Sequence, residues 1–163
     1  MKAEGKLPFG QVPYVEHDGI SFAQSGAIAR YIAKLGGLNG SNDAEFAKSE
    51  MLMAEYDDLL NGMTKCMYSG GDKSAAFDEY FAGPWKQQCE CLEKLIPDGE
   101  KYFVAGSKRV AGGYAMACAF EVGLKLSPDC LNDFPKLKAF ADEMIASDAF
   151  TGLKDMHQYL SRA

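Results

Sequence analysis
The stretch from Leu7 to Leu35 constrains this chain most, because it reads as strand, tight turn, strand and helix in immediate succession. Val12 to Glu16 is rich in β-formers, and Asp18-Gly19 is a strong signal for a two-residue hairpin turn. Ile20 and Phe22 alternate with polar neighbours on the second strand. Gln24-Ser25-Gly26 then opens a helix whose apolar residues Ile28, Ile32 and Leu35 recur at i, i+4 and i+7. Ser25 is a good N-cap, and Gly36-Gly37 is a good stop.

Chemistry has a natural place at that helix start. Free backbone N–H groups and the positive end of the helix dipole favour an anion, and the Ser25 hydroxyl and Gln24 amide add donors. Pro13 follows Val12 directly; an X-Pro bond beside a strand can be cis, which leaves the Val12 backbone to pair with an extended ligand. Each piece has a plainer reading. A serine in this position is usually only a cap, and a Val-Pro at a strand start is usually only an edge feature.

Taken in order, the pieces carry more. Gly-Gln-Val-Pro, a hairpin, and Gln-Ser-Gly-Ala-Ile-Ala-Arg-Tyr-Ile-Ala closely resemble the second half of the glutathione-binding domain of cytosolic glutathione transferases, most of all the sigma-type and related eukaryotic classes. The resemblance implies a thioredoxin-like unit with Pro13 as its cis proline. It also implies glutathione as cosubstrate. The Val12 backbone would pair with the cysteinyl part, while Gln24 and Ser25 would hold the γ-glutamyl carboxylate with Gln11 nearby.

Composition agrees with a globular chain. Of 163 residues, 47% are apolar and 25% charged, enough for one ordinary domain or two small ones. The formal net charge of −6 argues against nucleic acid and anionic membranes as partners. No apolar run approaches the roughly 20 residues of a membrane span, and residues 1–6 have no signal-peptide stretch. Cys66, Cys89, Cys91, Cys118 and Cys130 lie mostly in helical patterns, and Cys89-Glu90-Cys91 has neither zinc nor redox spacing. They read as reduced packing residues of a cytoplasmic protein. Asn39-Gly40-Ser41 matches a glycosylation sequon but reads as a loop.

Beyond the turn-rich linker at 36–42, everything reads as helix. Asp43 to Met67 is long, with Ser41 and Asn42 as capping candidates and an apolar stripe of Leu52, Tyr56, Leu59, Leu60, Met63 and Met67. Ser74 to Leu95 carries Phe77, Phe81, Trp85, Cys89 and Leu92, and Pro84 should kink it. Lys101 to Val104 reads as a short extended piece. Val110 to Leu126 is apolar on nearly all sides; Pro135 opens another helix, and Phe150, Leu153, His157 and Leu160 line a last one. The fold class is therefore α+β: a partial thioredoxin-like unit, hairpin plus helix (1–35), followed by an all-helical domain (36–163) like the C-terminal domain of glutathione transferases.

The resemblance extends to Asp57-Asp58. At that point the family supplies an aspartate, here Asp58, that reaches the γ-glutamyl amino group of glutathione on a partner subunit; a solvated acidic face is the equal alternative. Met63, Met67 and Tyr68 fall where the family's pocket for a small hydrophobic electrophile would be, though a core stripe is the simpler reading.

Two features depart from the family. A β-α-β unit of about 30 residues precedes the equivalent of Gly10 in the family and supplies the Tyr, Ser or Cys that activates the thiol, whereas residues 1–9 precede it here. Tyr14 lies beyond the proline and cannot substitute, so no catalytic residue is assigned and only trace activity with small electrophiles is expected. The glycyl carboxylate would fall to Lys2 or Lys6, because Glu4 takes the family's basic position. The second departure is at the buried helix, where a Ser/Thr-x-x-Asp capping box gives way to Val110-Ala111-Gly112-Gly113. A lost cap costs roughly 1 kcal/mol, and first-turn glycines up to about that each, so a softened start is expected. Finally, the Val12 to Glu16 strand should present an unpaired edge, so self-association into a homodimer along that edge is expected.

Overall fold
The structure is a computed structural model and describes residues 5–104, 106 and 109–151. Strand β1 (Tyr14–His17) pairs antiparallel with β2 (Ile20–Ala23), with Tyr14 opposite Ala23 and His17 opposite Ile20. That register leaves Asp18 and Gly19 as the two-residue loop. Their φ values of 48° and 77° supply the two left-handed residues a hairpin turn of this length needs. β1 starts two residues later than the β-former pattern suggests. Val12–Pro13 is a cis bond, and Pro13 has no N–H to give to a ladder.

Helix α1 (Ser25–Leu35) follows β2 with Gln24 alone between them. Here two sequence expectations change. Ser25 is the first helical residue, not the cap; the cap position is Gln24, and no side chain caps the helix. The i, i+4, i+7 stripe is not the buried face either, since Ile28 and Ala33 are buried while Ile32 and Leu35 are exposed. Tyr31 is the reason. Its ring meets Phe22 edge-on at 5.0 Å, and its hydroxyl bonds His17 Nδ1 at 2.9 Å. The hairpin therefore packs on the side of α1 that Tyr31 occupies.

Among the described residues, the regular elements after β2 are all helical, as the periodicity predicts. Helix α2 (Asp43–Met67) is capped by Asn42, whose Oδ1 accepts from the Glu45 N–H, while the Glu45 carboxylate accepts from the Ser41 N–H. This is a reciprocal box shifted back by one residue. Helix α3 (Lys73–Tyr80) is capped by Asp72 and leads into a wide π-type turn (Phe81–Trp85) and then α4 (Lys86–Leu95). Pro84 sits inside that turn, so the expected kink takes the form of one widened turn that absorbs the missing N–H.

Helix α5 (Ala111–Leu126) runs against α2 through the centre of the core, and α6 (Pro135–Ile145) covers its other side. Trp85, Phe77, Phe120 and Phe140 are fully buried between them. The Trp85 indole N–H donates to the Cys130 carbonyl at 3.2 Å, which satisfies the ring's polar end. Residues 101–104 form no strand. Tyr102, Phe103 and Val104 are buried as irregular chain, with Phe103 against Phe140 at 5.0 Å, so packing and not pairing accounts for their β-forming composition. The short α7 (Asp148–Thr151) buries Phe150. Leu153, His157 and Leu160 lie outside the described residues.

The cysteines are free thiols. Cys66 and Cys89 are buried as expected, but Cys91 is exposed, because two helical positions turn it to the opposite side from Cys89. Among the described residues, no helix is long and apolar enough to cross a membrane.

Candidate functional site
The first turn of a helix has N–H groups that its own backbone cannot satisfy. At α5, the Ala111 N–H donates to the Leu38 carbonyl at 2.9 Å and the Gly112 N–H to Ser49 Oγ at 3.0 Å. The softened start expected from the lost capping box is thus corrected: a buried serine on α2 and a loop carbonyl replace the cap. At α6, Pro135 has no N–H, and the Glu93 carboxylate on α4 accepts from both Lys136 and Leu137 at 3.0 Å. At α1, Ser25, Gly26 and Ala27 find no partner for their N–H groups among the described residues. Of these three helix starts, that of α1 is the one left open among the described residues.

That open end faces a cleft of about 110 Å³, lined by Phe9, Gln11, Val12 and Pro13 on one side and Ala23, Gln24 and Ser25 on the other. The fold therefore gathers five of the six residues singled out in the sequence. Gln24 has φ 82° and ψ 115°, and it shares a positive φ only with Asp18 among the described non-glycine residues. Asp18 is explained by its turn. Gln24 is the single residue that turns the end of β2 into α1, and such an outlier costs on the order of 1–3 kcal/mol. The sequence signal was there, in a strand pattern that ends at Ala23 and a helix that starts at Ser25. Phe9 also lines the cleft, and nothing in the sequence pattern gave it a role there.

The cleft is smaller than the roughly 300 Å³ at which whole-ligand pockets begin. It suits one end of an extended ligand: a carboxylate at the N–H groups and hydroxyl of α1, with main-chain groups running past Val12.

Asp58 is not in this cleft. It is exposed on α2 and lines a separate groove of about 810 Å³ with Asn61, Tyr80 and Gln88. One turn away, Glu55 has its carboxyl pushed above the usual range by burial and then by the Asp58 charge. Of the three pocket candidates, Met63 is core, Met67 is partly buried and Tyr68 is 79% exposed, so the core-stripe reading fails for Tyr68, the C-cap of α2. Lys6 is exposed and does not line the cleft. Lys2 and Glu4 lie outside the described residues. The Tyr14 hydroxyl donates to Glu16 at 2.8 Å and is engaged there. Burial pushes the Cys118 thiol up to about 11 and the Cys130 thiol up to about 12, so neither supplies a thiolate at neutral pH.

Comparison with known proteins points the same way. The family described as "Glutathione S-transferase, N-terminal domain" matches residues 5–34, the hairpin, the cleft and α1. The chain is 32% identical over 139 residues to a glutathione S-transferase of Dirofilaria immitis and 34% identical over 138 residues to glutathione S-transferase P of Caenorhabditis elegans. These matches cover 84% and 83% of this chain but 66% and 65% of the relatives, so the chain spans just under two thirds of their length. It is also 30% identical to hematopoietic prostaglandin D synthase of Gallus gallus, over 91% of this chain and 73% of that protein. Among solved structures, the Pi-class glutathione S-transferase of Onchocerca volvulus superposes with a TM-score of 0.82 at 26% identity, over 96% of this chain and 76% of the other. Its fold is the thioredoxin-like unit and helical region expected from the sequence. The chain belongs to the cytosolic glutathione transferase family.

Proposed function
We propose that this chain binds glutathione at the start of α1 and serves the family reaction, in which the glutathione thiolate adds to a small hydrophobic electrophile. The observation that carries the reading is the convergence of Gln11, Val12, Pro13, Gln24 and Ser25 on one cleft at the open helix start. The γ-glutamyl carboxylate accepts from the α1 N–H groups and the Ser25 hydroxyl, Gln24 and Gln11 add amide donors, and the cysteinyl main chain pairs with Val12. The thiol loses its proton to solvent before attack, and rate comes from whatever donor lowers its pKa. The protein works in the cytoplasm, as two domains divided near residue 35, in detoxification of such electrophiles.

Asp58 completes the site from a second copy. Its separation from the cleft within one chain fits a contribution across a homodimer to the γ-glutamyl ammonium. One structure of similar fold, a glutathione S-transferase of the hookworm Necator americanus with a TM-score of 0.82, is monomeric, so the dimer is a point for direct measurement.

A second reading, binding without turnover, is favoured by the cleft's chemistry. Its seven lining residues offer a single hydroxyl, Ser25, and that sits at the carboxylate end, away from the sulfur. Retention on immobilised glutathione, with elution by free glutathione, tests binding. Conjugation of glutathione to a small chloroaromatic electrophile, on protein of verified mass, separates the readings. Chain that flows through the column unretained overturns both.

A further inference from the structure
Arg30 on α1 reaches in two directions. Its Nε donates to Glu50 Oε2 on α2 at 2.6 Å, and its Nη1 donates to the Gly26 carbonyl in the first turn of α1 at 3.2 Å. Both ionic side chains are half-buried, at 38% and 30% exposure. Gly26 makes the room: a Cβ there would lie 3.0 Å from Nη1. The guanidinium thus grips the turn that begins with Ser25 and ties it to the long central helix. Among the described residues, no other ion pair joins α1 to α2.

The rest of α1 is fixed elsewhere. Tyr31 holds the hairpin, and Leu38, past the far end, receives the Ala111 N–H. Both contacts lie beyond the first turn. We propose that Arg30 and Glu50 are positioning residues: their pair fixes the angle at which α1 presents Gln24 and Ser25, and thereby the affinity of the cleft for a carboxylate. Neither side chain lines that cleft. The inference rests on the glutathione reading for its ligand, but not for its geometry.

A rival account would have the Arg30 charge attract the carboxylate directly. The two accounts give opposite signs for Glu50→Gln. If Glu50 only neutralises Arg30, its removal strengthens binding. If it holds Arg30 in place, its removal frees the first turn and weakens binding. Arg30→Lys divides them again, because lysine keeps the charge but is a point donor that cannot span both acceptors.

The experiment is calorimetric titration of the whole chain with reduced glutathione, beside amide NMR spectra without ligand. Glu50→Gln and Arg30→Lys should each weaken binding about fivefold, and the double variant should be no weaker than Arg30→Lys alone. The Ser25 and Gly26 amide resonances should shift in both variants before any ligand is added. Unchanged or tighter binding by Glu50→Gln overturns the proposal, as do unmoved amides. If unaltered chain binds no glutathione, the glutathione reading falls, and the amide shifts still decide whether the pair positions the helix.

Discussion
Helices α1 and α5 both begin without a side-chain cap of their own, and the structure treats them in opposite ways. The start of α5 is sealed by Ser49 and by the Leu38 carbonyl, from elements far away in the sequence. The start of α1 is left open against a cleft, behind a strained Gln24. The difference teaches where to look for a ligand. An uncapped helix start is ambiguous in a sequence, since tertiary structure can fill it or leave it. Only the one left unfilled, with polar groups gathered around it, has donors to spare for an anion.

The comparison breaks most severely if the close approach that seals α5 is removed. A Cβ on Gly112 would sit 2.3 Å from the Ser49 carbonyl oxygen and 2.7 Å from Leu52 Cβ. Helix propensity favours Gly112→Ala by about 1 kcal/mol. Overpacking against a backbone atom costs about 3 kcal/mol or slightly more, so the clash wins by about 2 kcal/mol. A fall in Tm of roughly 4–8 °C is expected. A rise in Tm would mean that α2 and α5 separate easily and that the seal is loose.

Ser49→Ala tests the seal without the clash. It removes the acceptor for the Gly112 N–H at a site 1% exposed, which leaves a buried donor unpaired. The expected loss is about 1–2 kcal/mol in urea denaturation, with faster hydrogen exchange at Gly112. Equal stability with unchanged exchange would show that something else satisfies that N–H.

Gly113 is the control beside Gly112. Its added Cβ would meet only Phe140 Cζ, at 4.0 Å, an ordinary contact. Gly113→Ala should therefore stabilise by about 0.5–1 kcal/mol, the propensity gain alone. Opposite signs at adjacent glycines would sharpen the case that α5 is sealed by one face. Destabilisation at both would dissolve it.

Much of this was legible in the sequence, and what was not follows a pattern. The Asp18-Gly19 turn, the Asn42 cap of α2 and the cleft around Gln24 and Ser25 are written in neighbouring residues. Ser49, Glu93 and the Arg30–Glu50 pair act across 63, 43 and 20 positions, and nothing local marks them. Gly112 misleads for the same reason: locally it weakens a helix, while in space it admits another. Ile32 and Leu35 mislead because Tyr31 sets the face of α1 that the hairpin covers. Short-range capping and turn chemistry can be read forwards; a cap borrowed from another helix cannot.

The smallest effect on stability, and the sharpest test of the open helix start, belongs to Ser25→Ala. If Ser25 capped α1, as the sequence suggests, its removal would cost about 1 kcal/mol. The structure places it one residue inside the helix, exposed and with no capping bond. Its removal should therefore change stability by no more than about 0.5 kcal/mol, the range of an ordinary surface substitution. Alanine also suits a first turn, which works against any loss. Binding should respond differently. A hydroxyl that donates to a carboxylate contributes about 1.5–3 kcal/mol, a factor of roughly 10–150 in affinity. Calorimetric binding of glutathione should fall below detection while the melting curve stays in place. A variant that loses stability and keeps its affinity would reverse the assignment, making Ser25 a structural residue and moving the ligand away from α1.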